Sequence, residues 1–219
     1  MLAARRTDRL AAVAEAIRRG GGSAARVAID VTAMASVARA VEQTEAALGP
    51  VDLLINNAGI SLEKFITEVS EADYDAVMNT NLKGAWLVAQ AVGRRMIARG
   101  HGGKIVNVAS VLGSHVIPML SVYAMAKAAL IQMTKAMALE WARYDIQVNA
   151  LAPGYIRTEI NTVFFDTEAG QKQIARMLRK RIGEPGDLDG ALLLLVTDAA
   201  RFITGSVVTV DDGQTLRGL

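Results

Sequence analysis

Val51-Asp52-Leu53-Leu54-Ile55-Asn56-Asn57-Ala58-Gly59 decides the fold of this chain. After Asp52 the run loses polar/apolar alternation, the pattern of a parallel strand covered on both faces. It then passes directly into polar and small residues. The same device recurs twice downstream. Lys104–Val108 reads as a buried strand leading into Ala109-Ser110, and Ile146–Leu151 as one leading into Ala152-Pro153-Gly154. Helical spacing fills the intervals. Thr7 or Asp8 can cap a helix through about Arg19, ended by Gly20-Gly21-Gly22. Ala33–Leu48 is helical up to Gly49-Pro50, and helices follow at Glu71–Met78, Leu82–Ala98, Ser121–Ala142 and Leu188–Val196. Ala25–Ile29 and Ser206–Val210 are further short strands. Strands alternating with helices, without a linker or repeat, predict one α/β domain with a doubly wound parallel sheet. Ligands bind such sheets beyond the carboxyl ends of the strands, so the three polar or small ends should line one crevice.

Composition narrows the function. The 219 residues are 52% hydrophobic, enough for a sizeable core. Lys and Arg number 24 against 22 Asp and Glu and are spread along the chain, which gives no nucleic-acid signature. The absence of cysteine excludes disulfides and thiolate chemistry. His101 and His115 lack the paired spacing of a metal site. No run approaches the ~18 apolar residues of a membrane span, and the first residues hold no apolar segment followed by a cleavage site. The expectation is a soluble cytoplasmic protein without membrane or nucleic-acid partners.

Tyr123-Ala124-Met125-Ala126-Lys127 is the chemical signal. Four residues apart on a helix, the phenol and the ammonium share one face. The Lys charge should lower the Tyr pKa toward working pH and make the phenol a general acid or base. Asn56-Asn57-Ala58-Gly59, Asn81 within Asn81-Leu82-Lys83-Gly84, Ser110 thirteen residues before Tyr123, and Pro153-Gly154 stand in fixed order around it. So do Arg181-Ile182-Gly183-Glu184-Pro185 and Val210-Asp211-Asp212-Gly213 near the C-terminus. As a set, these motifs are highly specific, and over essentially its whole length the chain resembles the short-chain dehydrogenase/reductase family, including its 3-oxoacyl-carrier-protein reductases and sugar or polyol dehydrogenases.

The resemblance implies a Rossmann-like sheet and an NADP-dependent enzyme that moves a hydride between NADP(H) and a small-molecule carbonyl or alcohol. It implies Asn81, Ser110, Tyr123 and Lys127 as catalytic residues. Tyr123 would exchange a proton with the substrate oxygen. Lys127 would lower the Tyr123 pKa and hold the nicotinamide ribose. Ser110 would hydrogen-bond the carbonyl oxygen, and Asn81 would hold a water on the proton path. For the cofactor it implies Asp30 and Val31 at the adenine, Asn57, Ala58 and Gly59 at the adenosine ribose, and Gly154, Ile156 and Thr158 at the carboxamide. Where an acidic residue would select NAD(H), this sequence has Ala4 followed by Arg5, whose guanidinium suits a 2′-phosphate. NADP(H) is therefore expected over NAD(H).

The departure is at the front. The family opens with a strand and a Thr-Gly-x-x-x-Gly-x-Gly turn that cradles the pyrophosphate. Here Ala4-Arg5 aligns with the end of the second strand. The reading is therefore of an N-terminally truncated domain that lacks the first strand and glycine-rich turn, with weakened cofactor binding. Gly20-Gly21-Gly22 and Gly100-His101-Gly102-Gly103 do not replace the turn, because each lies between a helix and a strand rather than the reverse. The alternative function is a non-catalytic binding or regulatory homologue. Tyr155–Arg181 is expected to form a lid, with Phe164 and Phe165 set either to touch substrate or to anchor the lid. Arg94, Arg95 and Arg99 are weighed as a solvated face against a site for an acidic acyl carrier. The resemblance also implies a homotetramer, a dimer of dimers pairing the helices that carry Trp86, Leu87, Val92 and Met96, and Leu130, Met133, Met137 and Trp141.

Overall fold

The computed structural model describes residues 1–158 and 161–216. In chain order the elements are β1 (Leu2–Ala4), α1 (Thr7–Arg19), β2 (Arg26–Ala28), α2 (Met34–Leu48), β3 (Leu53–Asn56), α3 (Glu71–Met78) and α4 (Ala85–Arg99). There follow β4 (Gly103–Val108), α5 (Ser121–Trp141), β5 (Ile146–Pro153), α6 (Thr162–Phe165), α7 (Glu168–Arg176), α8 (Asp189–Val196) and β6 (Val207–Val210). All strand pairs are parallel. The α/β fold with a parallel sheet is as the sequence predicts.

The helix boundaries have local causes. Ser70 and Asp73 form a reciprocal capping box at the start of α3. Gly100 closes α4 in the left-handed conformation, at φ 74°. The expected cap of α1 is not used: the helix opens at Thr7, and Arg6 precedes it without a side-chain cap bond. Asp8 lies instead inside the first turn, where its charge meets the positive helix end. Between α3 and α4 the chain does not break as the sequence suggests. It continues through one π-helical turn, Asn79–Gly84.

The sheet is in two pieces. Among the described residues β1 pairs only with β2, while β3, β4, β5 and β6 form a separate four-stranded sheet in that order. Met1 and Leu54 nevertheless pack against one apolar cluster, built from Val27, Ile29, Val37, Ala40, Leu87 and Val88. The core is densest at the centre, where Ile105, Val106 and Val148 are completely buried. On one face, Leu195 of α8 packs on Val106 and Leu151. That cover does not reach β3. Leu53 and Ile55 are 38% and 40% exposed, which corrects the expectation that this strand is covered on both faces. As the edge of its sheet, β3 is backed by α2 and α4 only on the Leu54 side.

Candidate active site

β3, β4 and β5 end side by side, with Asn56 opposite Asn107 and Val108 opposite Leu151. Ser110 follows β4 and is buried. Its Oγ accepts from Leu112 N at 3.1 Å and so starts a short 3₁₀ turn, Val111–Gly113. That turn lies on α5, which carries Tyr123 and Lys127 in its first two turns. Lys127 Nζ lies 5.6 Å from the centre of the Tyr123 ring. The ammonium donates to the Val108 carbonyl at 2.7 Å.

Burial sets the electrostatics. It lowers the Lys127 pKa to about 8. It also pushes the Tyr123 phenol above its ordinary value, while a hydrogen bond with Ser110 pulls the other way. The expected lowering of the Tyr123 pKa by Lys127 is therefore not what this state shows. Lys127 is turned to a backbone carbonyl, and removal from water dominates both groups.

Asn81 sits in the π-helical turn, fully buried. Its Oδ1 accepts from Ile60 N and its Nδ2 donates to Ile60 O, both at 2.8 Å. The side chain is thus committed to holding the turn after β3. A side chain at Gly59 would reach toward Asn81 Oδ1 and Lys127 Nζ, which lie 3.5 and 3.8 Å from the Cβ position. Asn57, Ala58 and Gly59 are exposed beyond β3. The sequence-predicted Asn81, Ser110, Tyr123, Lys127 and Asn57–Gly59 are all brought to these strand ends.

The remaining residues lie on two flanks. Arg5, exposed after β1, is close enough to Asp30 for its charge to act on that carboxylate. Asp30 is held below its ordinary pKa first by the Thr32 hydroxyl, which donates to Oδ1 at 2.7 Å, and by Thr32 N. Val31 packs on Gly84, where a Cβ would clash with its methyl group. On the other flank, Gly154 N donates to Val210 O, and Ile156 bridges to Gly183. Thr158 is exposed, and its N–H donates to Asn161 Oδ1 at 2.8 Å.

Some supporting groups escape a sequence reading. Gln214 is buried, and its Oε1 accepts from Tyr155 N at 2.8 Å while filling the space above Gly154. Only its place directly after Asp211-Asp212-Gly213 hinted at it. Phe165 is fully buried, edge-on to Tyr155 with ring centres 5.5 Å apart, so it anchors its segment. Phe164 is partly exposed. Residues 159 and 160 of the expected lid lie outside the described residues. Two of the three clustered arginines are drawn into the chain's own ion pairs: Arg95 meets Glu42 and Glu45, and Arg99 meets Asp52 at 2.7 Å, while Arg94 is exposed. Among the described residues no helix is long and apolar enough to cross a membrane, and no group of three or more His, Asp or Glu could hold a metal.

Residues 1–215 match the family model described as enoyl-(acyl-carrier-protein) reductase. The chain is 37% identical to 3-oxoacyl-[acyl-carrier-protein] reductase of Thermotoga maritima, over 86% of this chain and 76% of that protein. It is 36% identical to NAD-dependent glycerol dehydrogenase of Listeria innocua, over 86% of this chain and 74% of that protein. The crystal structure of gluconate 5-dehydrogenase from Burkholderia cenocepacia J2315, in complex with NADP and tartrate, superimposes with a TM-score of 0.92 at 39% identity. That match covers 98% of this chain and 84% of that one. With a parallel α/β sheet, Ser110, Tyr123 and Lys127 gathered at its strand ends, and relatives that are dehydrogenases and reductases, the chain belongs to the short-chain dehydrogenase/reductase family.

Proposed function

We propose that this protein is an NADP(H)-dependent oxidoreductase that interconverts a small-molecule carbonyl and the corresponding alcohol, with Tyr123 as general acid and base. One observation carries the reading: a half-buried phenol lies near Ser110 and beside a buried ammonium at the ends of three parallel strands. The residues fit a nicotinamide nucleotide. Gly59 keeps side-chain atoms out of the space next to Lys127, and Asn57, Ala58 and Gly59 form an exposed ledge. Asp30 and Val31 would meet the adenine end, and Gly154, Ile156 and Thr158 the nicotinamide end.

Nicotinamide, when bound, supplies or accepts the hydride. The protein does the rest. In reduction, Ser110 donates a hydrogen bond to the substrate oxygen and Tyr123 gives up its phenolic proton there. The raised pKa keeps that proton on the phenol at neutral pH, ready for transfer. The Lys127 ammonium, with N–H donors beyond the one on the Val108 carbonyl, would stabilise the phenolate and hold the ribose. Asn81 keeps the turn beyond β3 in place. In oxidation the same groups act in reverse. The segment 155–181 is assigned as the lid within this single domain.

The choice of NADP(H) rests on Arg5. An exposed guanidinium beside the Asp30 turn suits a 2′-phosphate, and no carboxylate stands at Ala4 to take a 2′-hydroxyl. The test is calorimetry with NADPH and NADH, followed by turnover on polyols, sugar acids, ketones and 3-oxoacyl thioesters. Tighter binding of NADPH and reduction of at least one carbonyl class are expected. Arg5→Ala should cost about tenfold or more in NADPH affinity and leave NADH unchanged, the usual scale for one charged hydrogen-bond pair. Cofactor binding without turnover on any substrate class would favour the non-catalytic homologue instead.

A further inference from the structure

Helix α5 is tied to the end of β4 at two points. The first is the bond from Lys127 Nζ to Val108 O. The second lies seven residues along, two turns further on the same helix face and roughly 10 Å away along the axis. There Asn107 Nδ2 donates to Thr134 Oγ1 at 2.9 Å. Asn107 and Thr134 are both fully buried. The Thr134 hydroxyl spends its proton on Leu130 O at 2.8 Å, which leaves its oxygen free only to accept and gives the Asn107 bond a fixed direction. Asn107 Oδ1 in turn accepts from Asn56 Nδ2 at 3.0 Å, and Asn56 Nδ2 also donates to Ala85 O at 3.1 Å. A buried polar chain therefore runs from the first residue of α4, just after the turn that holds Asn81, through β3 and β4 to α5. None of its members has a part in the proton transfer.

The two ties differ in one respect. The Lys127 tie is made by the end of a flexible side chain, whose ammonium has further N–H donors to turn toward a bound ribose, so this tie is free to strain or loosen when ligand binds. Apolar contacts of Leu130 remain, but such contacts are non-directional and permit sliding and rotation. A buried hydrogen bond between groups that cannot reach water is directional and is lost at full cost if the helix shifts. We infer that the Asn107–Thr134 bond is the fixed pin of the active site: Thr134 is a positioning residue that keeps α5 in register while Lys127 turns its ammonium toward ligand. This rests on the function proposed above.

The test replaces Thr134 by Val, which keeps the shape and removes the acceptor, and by Ser, which restores it. The Lys127 ammonium is followed by NMR in protein labelled with ¹³C-lysine, its signal identified by loss in Lys127→Met. Tyr123 is the titratable group against it. In the wild type Lys127 should titrate at about 8. In Thr134→Val the value should move up by about one unit or more toward the solvent value of ~10.4, as the loosened helix admits water. Thr134→Ser should return it to the wild-type position. With NADPH and the best substrate, Thr134→Val should lose about tenfold to a hundredfold in kcat with KM little changed, the scale of a small misplacement of reacting groups. An unchanged Lys127 titration in folded Thr134→Val would overturn the inference, even if the melting temperature falls. Should circular dichroism show Thr134→Val unfolded, Thr134→Cys, whose sulfur is a weak acceptor, reads the same titration. A wild type that binds no cofactor and turns over no substrate defeats the proposed function, while the titration still decides the pin.

Discussion

The ammonium of Lys127 is buried and rests on a backbone carbonyl rather than a carboxylate. Its charged form is therefore disfavoured by folding, and stability should depend on pH in a defined direction. Below about pH 8 both folded and unfolded chains carry the proton, and the cost of burying the charge is fully present. As pH rises from about 8 toward the unfolded value of ~10.4, the folded state gives up the proton first and the cost is relieved. Urea unfolding should thus show the wild type gaining stability between pH 7 and 9.5 relative to Lys127→Met, and parallel curves for the two proteins would contradict this. Tyr123, pushed above its ordinary pKa, stays protonated across that range. Carbonyl reduction should therefore hold up through neutral pH, and alcohol oxidation should keep rising on the alkaline side. Tyr123→Phe should lower kcat by about 10² to 10⁴, the usual contribution of a positioned acid or base, with an unchanged far-UV spectrum. At this scale most of the candidate site was legible in the sequence, because Tyr-x-x-x-Lys spacing, Ser110 and the strand-end residues are local. The dominance of burial over the Lys charge was not, since it depends on which atoms pack around each group.

At the scale of elements, the site depends on how the 3₁₀ turn after Ser110 seats on α5. Gly113 is the contact point. A Cβ there would lie 2.5 Å from Ile131 Cδ1 and 3.0 Å from the Lys127 carbonyl oxygen, which is backbone of α5. Gly113→Ala must push α5 away or distort the turn. It should cost about 1–3 kcal/mol in denaturant unfolding, the usual range for overpacking. It should also lower kcat, because the displaced helix carries both Tyr123 and Lys127. A variant with wild-type kcat would show that the turn yields instead. The join of α3 to α4 is likewise set by packing. The sequence suggested two helices with a break near Asn79, whereas a single π-helical turn carries the chain across and places Asn81 against Ile60. Such turns recur at functional sites. Local propensity does not separate a π turn from an α turn, so only packing against the strand-end loop reveals it.

At the scale of the whole molecule, the two sheets and the uncovered face of β3 leave apolar surface in view. Leu53, Ile55, Val13 and Ile17 are each more than a third exposed. On α4 and α5, several residues expected to pair with a second copy are already used inside the chain: Leu87, Val92, Met96, Leu130 and Met137 are all buried. Trp86, Met125 and Leu139 remain exposed there, Leu139 at 83%. Self-association through these helices is expected to show as a mass above one chain by light scattering at micromolar concentration. Leu139→Lys should lower that mass, and a wild type that is already monomeric would refute the expectation. The amino-acid sequence by itself determined the alternation of strands and helices, the parallel sheet, and the Tyr123–Lys127–Ser110 constellation. Those follow from short-range periodicity and fixed spacings, which the backbone enforces wherever the segments end up. Tertiary structure alone decided that β3 is left uncovered on its Leu53 and Ile55 side, that Lys127 rests on Val108, and that Asn107 reaches Thr134 across the core. These depend on contacts between residues far apart in the chain, where burial and directional hydrogen bonds, rather than local preference, select the partner.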